Sequence, residues 1–279
     1  MEGTFTALIT PFKNGDLDER GLRENIQFQL REGIDGLLAL GSTGENEALS
    51  EEERKRVIQI VCAEAKGKVP IFIQTGDSAT HRAIQKTAEA KSLGADGVLI
   101  VAPYYCCPTQ EGLFRHYEAI ACSTTLPILL YNHPKRTGVR FELETLRRLA
   151  LIENIVGLKD ASGDVAFCAQ VLHRTKDFIL FSGDDLLTLP LMSIGAKGSI
   201  SVMSNLMPKE ISDLGRQLDL EKYQELLPLF LLSQCESNPI PIKAMMHARG
   251  RASGPCRLPL TPLSKENQEK METLLFAYA

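Results

Sequence analysis

The sequence has no excess of positive charge: 31 lysines and arginines face 35 aspartates and glutamates, for a net charge of −4. That balance argues against a nucleic-acid-binding face and against a polybasic membrane anchor. No apolar run approaches the ~18 residues a membrane-crossing helix needs, and stretches such as 226–232 stop far short. Met1 to Phe5 carry neither a basic region nor a long apolar stretch, so no secretory leader is expected. The 7 cysteines form no C-x-x-C pair, and with the missing leader they are read as reduced thiols of a cytoplasmic protein. Histidines at metal-ligand spacing and clustered carboxylates are missing too, so no metal is expected. A phosphate-type glycine turn after the first apolar run is also lacking; Ile9-Thr10-Pro11-Phe12 stands there instead. A doubly wound dinucleotide fold would need that turn.

What is present is an alternation. Apolar residues make up 44% of the 279 and charged residues 24%, which suits a soluble globular chain of one large domain or two small ones. Eight short aliphatic runs recur: Phe5 to Ile9, Gly36 to Leu40, Ile71 to Gln74, Val98 to Val101, Ile128 to Tyr131, Ile155 to Leu158, Phe178 to Phe181 and Ser199 to Val202. They are spaced by roughly 20 to 34 residues, and apolarity on both faces is what a buried parallel sheet requires. Helical patterns fill the gaps. Asp18 to Arg31 starts on an acidic cap and places Leu22, Ile26 and Leu30 on one face. Leu49 to Ala65 carries the Ser50…Glu53 capping-box signature. Further segments are expected at Thr80–Ser92, Gln110–Cys122, Glu142–Ala150, Val165–Thr175 and Lys209–Leu218. Eight β/α units over residues 1–220 predict an α/β protein with a (β/α)8 TIM barrel. Residues 221–279 predict three helices with proline-rich linkers, Glu221–Gln234, Ile242–Ala248 and Ser264–Tyr278. They read as a C-terminal helical extension packed on the barrel, since so few residues barely make a core alone.

A (β/α)8 barrel builds its active site at the C-terminal ends of its strands. Lys159 ends the sixth run, where a lysine pointing inward is costly unless it is used or paired. Desolvation that lowered its pKa by about 3 units would leave roughly a quarter of the amine neutral at pH 7, as imine chemistry needs. The alternative is a lysine paired with Asp160 or a neighbouring carboxylate. Tyr131 ends the fifth run, either as a proton shuttle tuned by the hydroxyls of Thr43 and Tyr105 or as barrel filling. Arg136 follows in a loop and suits a bidentate grip on a carboxylate, or is an ordinary surface arginine. Gly41 to Gly44 forms a turn able to present backbone and hydroxyl donors to an anion.

Six separated segments then fall into one register: Gly41-Ser42-Thr43-Gly44-Glu45, Pro103-Tyr104-Tyr105, Tyr131 to Pro134, Gly157 to Ser162, Ser182 to Asp185 and Asn238 to Lys243. In this order they resemble the pyruvate-dependent class I aldolases, and within them the dihydrodipicolinate synthase family over Thr6 to Leu263. The segment Tyr131 to Gly138 matches that family's Tyr-Asn-x-Pro-x-Arg-Thr-Gly motif, with Arg136 in place. N-acetylneuraminate lyases lack this arginine. The resemblance implies the following roles. Lys159 forms a Schiff base with pyruvate, and the enamine condenses with aspartate 4-semialdehyde to give 4-hydroxy-tetrahydrodipicolinate. Tyr131 moves protons through Thr43 and through Tyr105 of a neighbouring subunit, and Arg136 holds the semialdehyde carboxylate. Ser42, Thr43 and the Ile200 backbone line the pyruvate site, which Gly183 shapes. The resemblance also implies no cofactor and a homotetramer or homodimer. Another pyruvate aldolase acting on sugar acids, or a non-catalytic pyruvate-binding relative, are the alternatives.

The chain departs from the family pattern at three places. His133 replaces an aliphatic residue, and Cys106-Cys107 follow the double tyrosine. The positions that hold an inhibitory lysine in many members align with Ser78, Arg82 and either Arg54 or Glu51. A cationic Arg82 would repel a lysine ammonium, so weak or absent lysine feedback is expected.

Overall fold

The computed structural model describes residues 1–278. Eight parallel strands close into a barrel: β1 (Gly3–Ala7), β2 (Gly36–Ala39), β3 (Ile71–Gln74), β4 (Gly97–Val101), β5 (Ile128–Asn132), β6 (Ile155–Asp160), β7 (Ile179–Ser182) and β8 (Gly198–Ser201). Each strand pairs with its sequence neighbours, and β1 closes the ring against β8 with Phe5 opposite Ile200. A two-stranded ribbon, Phe12–Lys13 with Asp16–Leu17, lies outside the barrel.

The double apolarity of the strands follows from two separate cores. Inside the barrel Phe5, Leu38, Phe72, Leu99, Leu129, Tyr131, Phe181 and Ile200 pack together. Phe5 meets Phe72 and Phe181 edge to face, with ring centres 5.9 and 5.5 Å apart. Gly36 and Gly97 make room for the rings of Phe5 and Phe72, since a Cβ at either position would overlap the ring. Outside, Leu37, Ile73, Ile100, Leu130 and Leu158 pack against the surrounding helices.

Those helices are α1 (Glu19–Arg31), α2 (Glu51–Ala65), α3 (Thr80–Ser92), α4 (Gln110–Cys122), α5 (Leu143–Leu149), α6 (Val165–Arg174), α7 (Thr188–Ser193) and α8 (Pro208–Gln217). Asp18 caps α1 by accepting from the Gly21 amide. The α2 capping box forms as expected: the Ser50 hydroxyl accepts from the Glu53 amide and the Glu53 carboxylate accepts from the Ser50 amide. The sequence reading missed α7, which has only 6 residues and contains Pro190, too short to show a period. The first strand also lies two residues earlier than expected. Ile9 leaves the barrel and joins a third apolar cluster.

That cluster unites Ile9, Met203, Leu206 and Leu214 with residues of the last three helices, α9 (Leu220–Leu232), α10 (Ile240–Ala248) and α11 (Lys265–Ala277). No helix among the described residues is long and apolar enough to cross a membrane.

Candidate active site

Lys159 and Tyr131 stand side by side. They are register partners on β6 and β5, so their side chains leave the sheet on the same face. Lys159 is 5% exposed, and its Nζ lies 4.3 Å from the centre of the Tyr131 ring. The pairing with Asp160 that the sequence left open is not made. One Asp160 oxygen accepts from Asn132 Nδ2 at 2.7 Å, and the other accepts from the amide and hydroxyl of Ser162. One oxygen of the nearby Asp185 carboxylate accepts from the amides of Val202 and Met203, both at 3.0 Å, and the other is buried without a hydrogen-bond partner. Burial therefore dominates and pushes the Lys159 pKa down to about 7, against the pull of Asp185 and with help from the Arg136 charge. About half of such an amine is neutral at pH 7.

Gly183 closes the other side of Lys159. A Cβ there would lie 2.9 Å from Lys159 Cε and 2.8 Å from the Asp160 carbonyl oxygen. Ile200 contributes its side chain to the barrel interior. Burial raises the Tyr131 phenol to about 12, while the Arg136 charge and the Ser42 hydroxyl beside it act in the opposite direction. The phenol is thus protonated at neutral pH.

Ser42 and Thr43 open a short helical turn, Ser42–Gly44, at the end of β2. The turn is fixed from below by a fully buried ion pair. Lys243 Nζ donates to Glu45 at 2.6 Å and to the carbonyls of Thr10 and Pro255, and the second Glu45 oxygen accepts from the Arg257 amide at 2.8 Å. It is fixed from above by Asn238, whose Nδ2 donates to Thr43 Oγ1 at 3.0 Å. The Asn238 carbonyl also accepts from Arg136 Nη2 at 2.9 Å. Asn238 therefore joins the Thr43 turn to the arginine loop, a link that sequence reading did not identify.

The hydroxyls expected to serve Tyr131 are arranged differently from one another. Thr43 is buried but engaged by Asn238. Tyr105 is 95% exposed, held outward by a backbone in the left-handed region at φ 71°. Neither is hydrogen-bonded to Tyr131 within one chain. Tyr104 donates to Glu47 at 3.0 Å. A cleft of about 380 Å³ opens over Tyr131 and is lined by Ser42, Glu47, His133, Arg136, Thr137 and Leu258, among others. Among the described residues, no three histidine, cysteine, aspartate or glutamate side chains group to hold a metal ion.

A closed (β/α)8 barrel with a buried lysine at a strand end, free of a salt-bridge partner, has what a class I, imine-forming aldolase requires. The whole described chain, residues 1–278, matches the model of the dihydrodipicolinate synthetase family, and the protein belongs to that family. A 4-hydroxy-tetrahydrodipicolinate synthase of Citrifermentans bemidjiense is 45% identical over 286 aligned positions, covering 100% of this chain and 99% of that one. The crystal structure of dihydrodipicolinate synthase from Aquifex aeolicus superimposes with a TM-score of 0.97 at 40% identity, covering 100% of this chain and 98% of the other. The 4-hydroxy-tetrahydrodipicolinate synthase of Methylacidiphilum fumariolicum gives 0.96 at 43% identity, covering 99% and 95%.

Proposed function

We infer that the protein is a lyase that condenses pyruvate with aspartate 4-semialdehyde to give 4-hydroxy-tetrahydrodipicolinate, in diaminopimelate and lysine biosynthesis. The observation that carries the reading is the buried Lys159 amine, without a carboxylate partner at Asp160 and stacked on the Tyr131 phenol. Neutral Lys159 attacks the keto carbon of pyruvate, and loss of water leaves the imine. Loss of a methyl proton gives the enamine, whose carbon attacks the aldehyde. The amino group of the second substrate then adds to the imine carbon, closes the ring and expels Lys159. Tyr131, protonated at neutral pH, gives and takes back a proton at the water-loss and bond-forming steps.

The remaining roles follow from position. The Ser42–Thr43 turn offers its first amides, which have no partner within such a turn, to the pyruvate carboxylate. Ile200 floors that site and Gly183 keeps its wall thin. Arg136, steadied by the Asn238 carbonyl, takes the carboxylate of the semialdehyde. The outward Tyr105 suits a relay completed in a second copy, so we assign a homodimer or homotetramer of tight dimers. Residues 1–220 would then carry the chemistry. The layer 221–279 would brace it through Asn238 and Lys243.

The test is a substrate panel with Arg136→Ala. Pyruvate with aspartate 4-semialdehyde should turn over. The variant should lose at least about a hundredfold in kcat/KM for the aldehyde while still forming the pyruvate adduct, since a charge-assisted pair is lost and the reacting aldehyde is misplaced. Turnover with a sugar-acid aldehyde, indifferent to Arg136, would contradict the reading.

A further inference from the structure

His133 lines the cleft, and the mechanism above gives it no task. It lines the cleft beside Tyr131 and Arg136, its ring centre 5.7 Å from that of Tyr131. Its carbonyl accepts from the amides of Arg136 and Thr137 at 2.9 and 3.1 Å, so imidazole and guanidinium are carried by one rigid turn. Its Nδ1 is buried and has no partner, while Nε2 is not among the buried unpaired atoms and the residue lines the cleft. Burial, aided by the charges of Arg136, Lys159 and Lys135, holds its pKa down to about 4, so the ring is neutral at pH 7. In the tautomer with its proton on Nδ1, a neutral imidazole offers Nε2 as the acceptor.

Several other acceptors of the cleft wall already carry hydrogen bonds. Glu45 is held by Lys243 and by the Arg257 amide. Glu47 accepts from Tyr104 and Asn46. The amide oxygens of Asn46 and Gln74 accept from Arg54 and from the Gly76 amide, and the Thr137 hydroxyl accepts from the Val139 amide. The Ser42 and Tyr131 hydroxyls stand beside one another. An aldehyde whose carboxylate sits on Arg136 carries its ammonium on the adjacent carbon, next to the same turn.

Resting on the aspartate-semialdehyde reading above, we propose that His133 Nε2 accepts a hydrogen bond from the α-ammonium of the aldehyde substrate and so selects an amino-bearing aldehyde. A buried acceptor built for an N–H group discriminates strongly against a ligand lacking it. Being neutral, the ring does not repel the ammonium and does not compete with Arg136 for the carboxylate.

The experiment compares aspartate 4-semialdehyde with succinic semialdehyde, which lacks only the amino group, the second used as a competing inhibitor. His133→Val should raise the KM of aspartate semialdehyde by about tenfold, the loss expected for one charge-assisted hydrogen bond. It should leave the inhibition constant of succinic semialdehyde, the KM of pyruvate and the yield of borohydride-trapped adduct within about twofold. His133→Asn, which keeps an acceptor, should recover part of the aldehyde KM. An unchanged aldehyde KM in His133→Val, with an active wild type, overturns the role of His133 alone. Equal weakening of both aldehydes also overturns it, since that would mark a change of shape. A wild type that forms the pyruvate adduct but does not turn over aspartate semialdehyde overturns both readings.

Discussion

The Lys159 ammonium sits 4.3 Å above the Tyr131 ring, two register partners on neighbouring strands turned to one face. The ring shields the amine from water, and no carboxylate at Asp160 compensates. The two side chains thus form one device: an amine kept half neutral beside a phenol kept protonated.

Its pH dependence follows. Imine formation needs the neutral amine, whose fraction rises as pH passes upward through about 7. The rate of pyruvate-adduct trapping should fall about tenfold per pH unit well below 7 and level off above it. A limb centred near 10, the ordinary lysine range, would show that burial does not tune this amine.

Gly183→Ala tests how closely the wall is fitted to Lys159. The added methyl meets Lys159 Cε at 2.9 Å and the Asp160 carbonyl at 2.8 Å, so the lysine must shift. A displacement of this size at the reacting atom is expected to lower kcat/KM by between about ten- and a hundredfold. Wild-type kinetics in Gly183→Ala would show that the wall yields without moving the amine.

Lys243→Met should destabilise the fold by about 3–5 kcal/mol, because it strands the Glu45 carboxylate in the interior. The double variant Glu45→Gln/Lys243→Met should recover much of that loss. Guanidinium unfolding midpoints decide the matter, and equal midpoints for wild type and Lys243→Met would contradict a tightly coupled pair.

Free L-lysine should inhibit weakly or not at all. Arg82 donates to Asp77 at 2.7 Å and to Ser78 at 2.9 Å, so a cation and its counter-ion occupy the positions that the family resemblance aligns with the expected lysine pocket. Arg54 is buried against Asn46 close by. Half-maximal inhibition at micromolar to low millimolar lysine would contradict this.

The strand ends that carry Lys159 and Tyr131 were legible because each closes an aliphatic run, and a parallel barrel places such ends at one mouth. Their mutual register was not legible, nor was the way Asn132 and Ser162 draw off Asp160. Asn238 stands in the sequence only as part of a motif. Its two hydrogen bonds reach Arg136 and Thr43 across 102 and 195 residues of chain, a distance no local pattern encodes. The same holds for Glu45 and Lys243, 198 residues apart. Helix α7 escaped for the opposite reason, being too short for any period.

The most direct measurement is reduction of the protein with borohydride in the presence of pyruvate, followed by peptide mass spectrometry. A single pyruvate-derived adduct on Lys159, absent from Lys159→Ala and undiminished in Arg136→Ala, is expected. A folded protein that gives no adduct, or one on another lysine such as Lys243, would contradict imine chemistry at Lys159.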